Sequence, residues 1–345
     1  MRCQRCGHDL GPDARFCPSC GQPVSGAAVP PPHHLGWINR FIGDVASLSV
    51  RDLARVDRQH AMEIIKSPVF RLLCLVAVVP LAIQTLDGVR AILNGLAIWS
   101  GLLWSLLLYR LFAHRQVPVG WAIGTVFFTA FVSVPLLQAF LDVPVNVFSR
   151  LTSIDFLPLQ LVGYIVGVGV REELFKAIPL LILIRFTPRM KNPVVGIVLG
   201  MMSGVGFAVA ENVVYVFTNL NRAVGAVQQT GQLIHLVGPI YTNVVRMAMT
   251  PFFHGCLSGI FGYFIALSAA NPGQRWPLLV AGWSIAAVLH GFFDTFVIRS
   301  ALWGVLIEGA AFFLLMTYIL KARGLTAASQ LGDGIFGPDP EPPPA

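Results

Sequence analysis

This chain of 345 residues is 55% hydrophobic and 12% charged, with a mean hydropathy of +0.70 and a formal net charge of +7. Soluble domains usually carry about 25% charged residues, so the composition excludes an ordinary soluble protein and indicates a polytopic membrane protein. The positive charge is expected to act at the bilayer, where basic residues set topology and contact anionic head groups. No interleaved basic and aromatic patch suggests nucleic-acid binding. The polar, cysteine-rich first residues predict that no signal peptide is present.

Two CxxC pairs open the chain, and ten residues separate them: the cysteines are Cys3, Cys6, Cys17 and Cys20. At this spacing four thiolates on two tight turns can enclose one tetrahedral Zn²⁺, with disulfides as the alternative. A site closed by four thiolates is structural, and free thiolates indicate a reducing compartment. We therefore expect a cytoplasmic zinc ribbon, similar to those at the ends of many prokaryotic membrane proteins, that could recruit a cytoplasmic partner.

Composition divides the chain into five predicted parts. A proline-rich linker follows the ribbon. Apolar residues at helical spacing among arginines then predict an amphipathic segment on the cytoplasmic membrane surface, and the proline- and acid-rich end predicts a disordered tail. The parts are a ribbon at 1–22, a linker at 23–36, a juxtamembrane segment at 37–67, a transmembrane domain at 68–321 and a tail at 322–345.

About eight apolar stretches approach the roughly 20 residues that cross a bilayer. They lie at about 68–86, 92–112, 117–141, 157–186, 193–219, 238–268, 277–298 and 301–320. With the N-terminus inside, the cytoplasmic flanks carry most of the lysines and arginines beside these stretches, as the positive-inside rule requires. The predicted fold is all-α and polytopic, with both termini cytoplasmic. Glycines at 163, 167 and 169 predict a broken or re-entrant fourth span.

Ionisable and amide side chains interrupt four consecutive stretches, from the fourth to the seventh. The candidate catalytic residues are Glu172, Glu173, Lys176, Glu211, Asn212, His254, His290 and Asp294. Each charged group at a bilayer centre costs about 2.5–3.5 kcal/mol, so these groups are expected to face one another, a cavity or a metal. Arg246 shares a helix face with His254 and could snorkel toward the interface.

Helical spacing suggests how some of these groups pair. Lys176 is four residues after Glu172 and three after Glu173, so it can neutralise either carboxylate. Asp294 is four residues after His290 and can orient the imidazole. An isolated histidine or glutamate pair in a span is often only a helix contact or an interfacial anchor. The coincidence on four consecutive spans favours a functional site.

Four short motifs contain these residues in a fixed order. They are Glu172-Glu173-x-x-Lys176, Phe207-x-x-x-Glu211-Asn212, His254 to Ser258-Gly259-x-x-Gly262-Tyr263, and Leu289-His290-Gly291-x-x-Asp294. The set resembles the PrsW-type intramembrane proteases, within the group of CAAX prenyl endopeptidases and bacteriocin-processing proteins. CAAX-type enzymes have Glu-Glu-x-x-x-Arg and a histidine at the position of Glu211, so the chain is more similar to the PrsW branch.

This resemblance, over roughly 68–320, implies a multi-pass peptidase of a prokaryotic plasma membrane that cuts membrane-anchored proteins such as anti-sigma factors. Two mechanisms stay open. In the favoured one, Glu211, His254 and His290 bind a second Zn²⁺ or another divalent metal, and one glutamate of the 172–173 pair acts as base and then acid. In the metal-free one, that glutamate activates water directly while the two histidines and Asn212 stabilise the oxyanion.

Two functions of other classes are the alternatives. Buried acid and histidine relays also mark ion- or proton-coupled transporters, although carriers usually show repeats with broken helices in both halves. A non-catalytic scaffold that recruits a partner through its zinc ribbon would tolerate replacement of the intramembrane polar residues. Convergence of the glutamates and histidines at coordination distance would favour the protease.

Overall fold

The computed structural model describes residues 62–63, 65–113, 116–141 and 147–335, and these residues form helices and turns without strands. The predicted ribbon at 1–22, the linker at 23–36 and most of the segment at 37–67 lie outside the described residues. The chain forms two compact units, residues 1–75 and 76–345. The second unit contains all the candidate catalytic residues.

Ten α-helices are described. They are α1 (Pro68–Ile83), α2 (Val89–Phe112), α3 (Val119–Phe128), α4 (Val134–Leu141), α5 (Leu157–Val162), α6 (Val170–Phe186), α7 (Pro193–Thr230), α8 (Val237–Ala270), α9 (Arg275–Val297) and α10 (Ala301–Ile335). Short 3₁₀ helices lie at Val147–Ser153, Pro188–Lys191, Leu233–Leu236 and Pro272–Gln274, and π-helices at Thr129–Ser133 and Gly163–Gly169. Because α10 continues to Ile335, the first part of the predicted tail is helical.

Six helical runs among the described residues are long and apolar enough to cross a membrane. They are Val89–Phe112, Val119–Phe140, Pro193–Thr230, Leu233–Ala270, Pro272–Val297 and Ala301–Gly324. The prediction of an all-α polytopic membrane protein is confirmed, while the count of eight is approximate. The first predicted stretch holds a shorter apolar helix, Phe70–Ile83, and the fourth combines α5, a π-helix and the charged helix α6.

Helices α7 and α8 form the centre of the second unit. The most apolar part of the α7 run is 89% buried and that of the α8 run is 78% buried, against 28–33% for the other four candidate spans. An all-round apolar helix is stable when neighbouring helices surround it. Polar side chains on α7 and α8 therefore lie in the interior, where each needs a partner.

Glycines bring α7 and α8 into backbone contact. A Cβ atom on Gly204 would collide with the carbonyl oxygen of His254, and one on Gly200 would collide with that of Ser258. Gly196 repeats the pattern one turn earlier. Small residues permit this close approach between membrane helices. The seam fixes the position of His254 along α7.

The glycine-rich run before the two glutamates is a π-helix, Gly163–Gly169, so the helix is widened there rather than interrupted. A Cβ on Gly169 would lie 2.6 Å from the carbonyl oxygen of Ala287 and 3.2 Å from Cβ of His290. π-Helical turns are frequent at functional sites. Here the wide turn lets the start of α6 approach α9, so that the glutamates face His290.

Replacing Gly204 by alanine is expected to lower the free energy of unfolding by about 1–3 kcal/mol, because the added methyl group overpacks the α7–α8 seam. Gly225 on the same helix is the matched control, since a Cβ there meets nothing within 4 Å. Gly225→Ala should leave stability unchanged or raise it by about 0.5–1 kcal/mol. Denaturant unfolding in detergent micelles measures the stability of both variants. Equal stabilities would contradict close backbone contact between α7 and α8 at Gly204.

Candidate active site

Side chains from four neighbouring helices meet at one place in the second unit. These are Glu172, Glu173 and Lys176 on α6, Glu211 on α7, His254 on α8, and His290 and Asp294 on α9. Each approaches at least one other member within 3.7 Å. The convergence that distinguishes a site from separate helix contacts is therefore present, although the role of each residue stays a prediction.

Lys176 lies at the centre and is 1% exposed. Its Nζ donates to Glu173 Oε1 at 2.7 Å and lies farther, at 3.7 Å, from Glu172 Oε2. The ammonium group also sits 4.2 Å from the ring centroid of Phe207, a cation–π contact that stabilises a desolvated charge. Lys176 thus neutralises Glu173 more directly than Glu172.

Glu173 holds the imidazole of His290. Its side chain is 0% exposed, and its Oε1 lies 2.8 Å from His290 Nδ1. Since a carboxylate only accepts hydrogen bonds, Nδ1 carries the proton and donates it, an assignment made from the partners. Ser258 Oγ donates to the other oxygen at 3.5 Å. His290 Nε2 is thereby left with a lone pair directed at the opposite side of the site.

Two carboxylates face that lone pair. Glu172 Oε2 and Asp294 Oδ2 each lie 3.5 Å from His290 Nε2. Glu172 Oε2 is buried and has no hydrogen-bond partner among the described residues. Lone pairs and negative charges at this separation repel one another. A proton on Nε2 or a metal ion between these groups would relieve the repulsion.

His254 connects α6 with α7. Its Nδ1 lies 2.8 Å from Lys176 Nζ, which can only donate, so Nδ1 accepts and Nε2 carries the proton. Nε2 donates to Glu211 Oε2 at 3.2 Å. Glu211 Oε2 also pairs with Arg246 Nη2 at 2.9 Å, and the Arg246 guanidinium lies 3.6 Å from the ring centroid of Tyr215. The cation of Glu211 is therefore closer than that of Glu172, whose Oε2 lies 3.7 Å from Lys176 Nζ.

The ligand atoms of Glu172, His254 and His290 all lie within 4.8 Å of one another. The predicted metal set shares the two histidines but contains Glu211, which instead pairs with Arg246. Two imidazoles and a carboxylate match a known catalytic zinc arrangement. Glu172 Oε2 accepts no hydrogen bond from the described residues and is free to act as a ligand, whereas His254 would bind a divalent ion in competition with its present hydrogen bonds.

The remaining predicted residues lie at the edge of this group. Asn212 is buried and its Nδ2 donates to Thr250 Oγ1 at 3.1 Å, so it joins α7 to α8 rather than facing the glutamates. Asp294 is 25% exposed and lies at the rim. Arg246 was not among the predicted catalytic residues. Its place eight residues before His254, two turns along the same face, was the available signal.

Removing the charge of Lys176 alone should destabilise the fold strongly. Lys176→Met leaves the carboxylate of Glu173 buried without its cation, which is expected to cost about 3–5 kcal/mol of unfolding free energy. The double variant Lys176→Met with Glu173→Gln should recover a large part of this loss, because neither charge then remains.

The matched control is Lys191→Met, at an exposed lysine of a 3₁₀ helix, which should change stability by less than about 0.5 kcal/mol. Denaturant unfolding in micelles measures all three variants. A double variant no more stable than Lys176→Met would contradict a buried ion pair.

Two protein families match the chain. Residues 117–322 match the PrsW family of intramembrane metalloproteases, and residues 2–24 match the zinc-ribbon domain. Comparisons with curated proteins and with solved structures found no match. The first match contains every candidate catalytic residue and begins after α2, whereas the resemblance was expected from about residue 68. The second agrees with the predicted four-cysteine ribbon.

Proposed function

This chain belongs to the PrsW family of intramembrane metalloproteases, and we propose that it hydrolyses peptide bonds of membrane-anchored proteins at the site between α6, α7, α8 and α9. The observation that carries this proposal is Oε2 of Glu172, which accepts no hydrogen bond within the described part of the chain and lies 3.5 Å from Nε2 of His290 in a group with His254. A buried carboxylate oxygen without a hydrogen bond costs free energy, so its retention favours a catalytic use.

Glu172, His254 and His290 would hold a divalent metal ion. When bound there, the ion would activate a water molecule and polarise the carbonyl group of the substrate. Glu211 is a weaker ligand candidate than sequence reasoning implied, because Arg246 neutralises it at 2.9 Å. Its hydrogen bond to His254 Nε2 at 3.2 Å favours a role in holding that ring.

The two adjacent glutamates differ in exposure and would have different roles. Glu173 is fully buried and bonded to Lys176 and His290, so it would position the imidazole and keep its lone pair directed at the site. Glu172 is 13% exposed and lies on the side from which a substrate can approach. The water would therefore react beside Glu172.

The proton of the attacking water needs an acceptor that can later protonate the leaving amine. Asp294 is suited to this task, since its Oδ2 lies 3.5 Å from His290 Nε2 and its side chain is the more exposed of the two carboxylates there. In a metal-free reaction Glu172 itself would take the proton. Metal content and activity of the variants below separate these two cases.

Localisation and partners belong to the same proposal. A ribbon of four thiolates needs a reducing compartment, which favours cytoplasmic termini in the plasma membrane of a prokaryote. The substrates would be membrane-anchored regulatory proteins, for example of the anti-sigma type. The ribbon would offer a binding surface to a cytoplasmic partner or to the substrate.

Glu172→Gln should reduce cleavage of a membrane-anchored reporter protein by about 10²–10⁴-fold, because it removes the charged ligand of the metal ion or, in the metal-free reaction, the group that takes the proton. Because Gln keeps the shape of the side chain, folding should be retained. Glu308→Gln is the matched control, since Glu308 is a largely buried carboxylate of α10 outside the site. Cleavage by Glu172→Gln at the rate of the native chain would exclude the proposed role.

Metal analysis of the purified protein should find about two metal equivalents per chain, one structural and one at the intramembrane site. The double variant Cys17→Ser with Cys20→Ser should lose one metal equivalent and still cleave the reporter. A chelator should abolish the cleavage by this variant. Adding His254→Ala and His290→Ala should remove the other. If the ribbon variant holds no metal yet still cleaves the reporter, the metal-free reaction is the correct one.

A further inference from the structure

A second polar layer joins α2, α7 and α8 away from the candidate active site. Asn219 on α7 donates from Nδ2 to Asn243 Oδ1 on α8 at 3.3 Å. Asn243 is 1% exposed, and apolar side chains of the three helices pack around this layer, including Leu93, Val216 and Met247. Buried amides in such surroundings require partners for all their polar atoms.

The contacts between α2 and α8 place a third amide at this layer. Ser100 Oγ donates to the carbonyl oxygen of Met247, and Trp104 Nε1 donates to that of Ala248 at 3.0 Å. Further along both helices, the ring of Trp104 stacks on that of Phe252, so the two helices run in the same direction. Asn94, which precedes Ser100 on α2, consequently lies within about one helical turn of the level of Asn243.

The layer contains a donor and an acceptor that no side chain satisfies. Nδ2 of Asn243 and Oδ1 of Asn94 are buried and lack a hydrogen-bond partner among the described residues. The same holds for Nε of Arg246, one turn further along α8. An unsatisfied buried group costs about 1–3 kcal/mol. Water both donates and accepts, so ordered water molecules can satisfy all of these atoms.

Polar residues follow one another along α2 and α8 from this layer in both directions. At the exposed end, Arg90 Nη2 donates to Asn221 Oδ1 at 2.7 Å, and Asn94 follows Arg90 by one turn of α2. At the inner end, Arg246 follows Asn243 by three residues on the same face of α8 and pairs with Glu211 at 2.9 Å. Glu211 in turn contacts His254 of the active site.

We propose that Asn94, Asn243 and Arg246 enclose a chain of ordered water molecules that supplies water and protons to the active site from the exposed end of α2 and α7. The purpose of this chain rests on the proposed protease function, because each peptide bond cleaved consumes a water molecule in an apolar helix bundle. The presence of the water molecules does not depend on that function.

Hydroxyl-radical labelling by millisecond X-ray radiolysis, with the full chain in lipid nanodiscs, tests for the water directly. Radicals formed from ordered water oxidise methionines beside it, here Met247, which is one turn after Asn243 on α8 and 4% exposed. Met201 and Met202 on α7 are internal controls, because they are at most 1% exposed and lie in the apolar core. Met247 should be oxidised several-fold faster than both, and equal rates would overturn the proposal.

Substitutions of Asn243 connect the label to the polar layer. Asn243→Leu should reduce the oxidation of Met247 to the rate of Met202, whereas Asn243→Ser, which keeps a polar group, should retain much of the label. Asn94→Leu gives a second, independent variant if Asn243→Leu does not fold. Labelling of Met247 that survives in both leucine variants would place the water elsewhere and overturn this route.

Steady-state cleavage of the reporter tests whether these water molecules supply the active site. Asn243→Leu and Asn94→Leu should lower kcat several-fold at unchanged KM, because neither residue belongs to the active-site group. Ile240→Leu, in the same apolar cluster, should leave both constants unchanged. Normal kcat in the leucine variants would overturn the supply role even if the label is lost. A native chain without protease activity would refute the proposed function, while the labelling of Met247 still decides whether the water is present.

Discussion

The buried ammonium group of Lys176 is the interaction on which the site depends. It contacts Glu173 on its own helix at 2.7 Å, His254 on α8 at 2.8 Å and the ring of Phe207 on α7. Through Glu173 it also acts on His290 of α9. A desolvated charge is tolerated when it is paired and hydrogen-bonded. Here the pairing also determines which nitrogen of each histidine carries the proton. The same contacts therefore neutralise the buried charges and orient the two imidazole rings.

That pairing is possible because the backbones approach closely at two places. Glycines of α7 lie against the carbonyl groups of α8, and Gly169 lies against α9. Helix axes usually lie 8–10 Å apart, and the closer approach at these glycines brings several ionisable side chains into mutual contact. The glycines therefore serve the site as well as the packing.

Much of this arrangement could be predicted from the sequence. The helices, the four-cysteine ribbon and the convergence of four polar spans follow from composition, spacing and the cost of burying charge. The partner of each carboxylate could not be predicted in the same way. Whether Glu211 meets a metal or Arg246 depends on how far α7 and α8 are rotated about their axes, and spacing within one helix does not determine that rotation. The π-helix before Glu172 was likewise hidden, because its glycines equally suit a broken span.

The buried polar atoms of the second unit fall into two kinds, and the difference indicates where function lies. Many are paired across helices, as Glu173 is with His290, Lys176 with His254 and Glu211 with Arg246, and these pairs hold the bundle together. Others make no hydrogen bond among the described residues, including Glu172 Oε2 and the amide atoms of Asn94 and Asn243. Stable folds retain such atoms when something other than the chain satisfies them. Hydrolysis inside a bilayer needs a charged centre and a supply of water. Glu172 Oε2 lies where the charged centre would be held, and the amide atoms of Asn94 and Asn243 lie where water would be held.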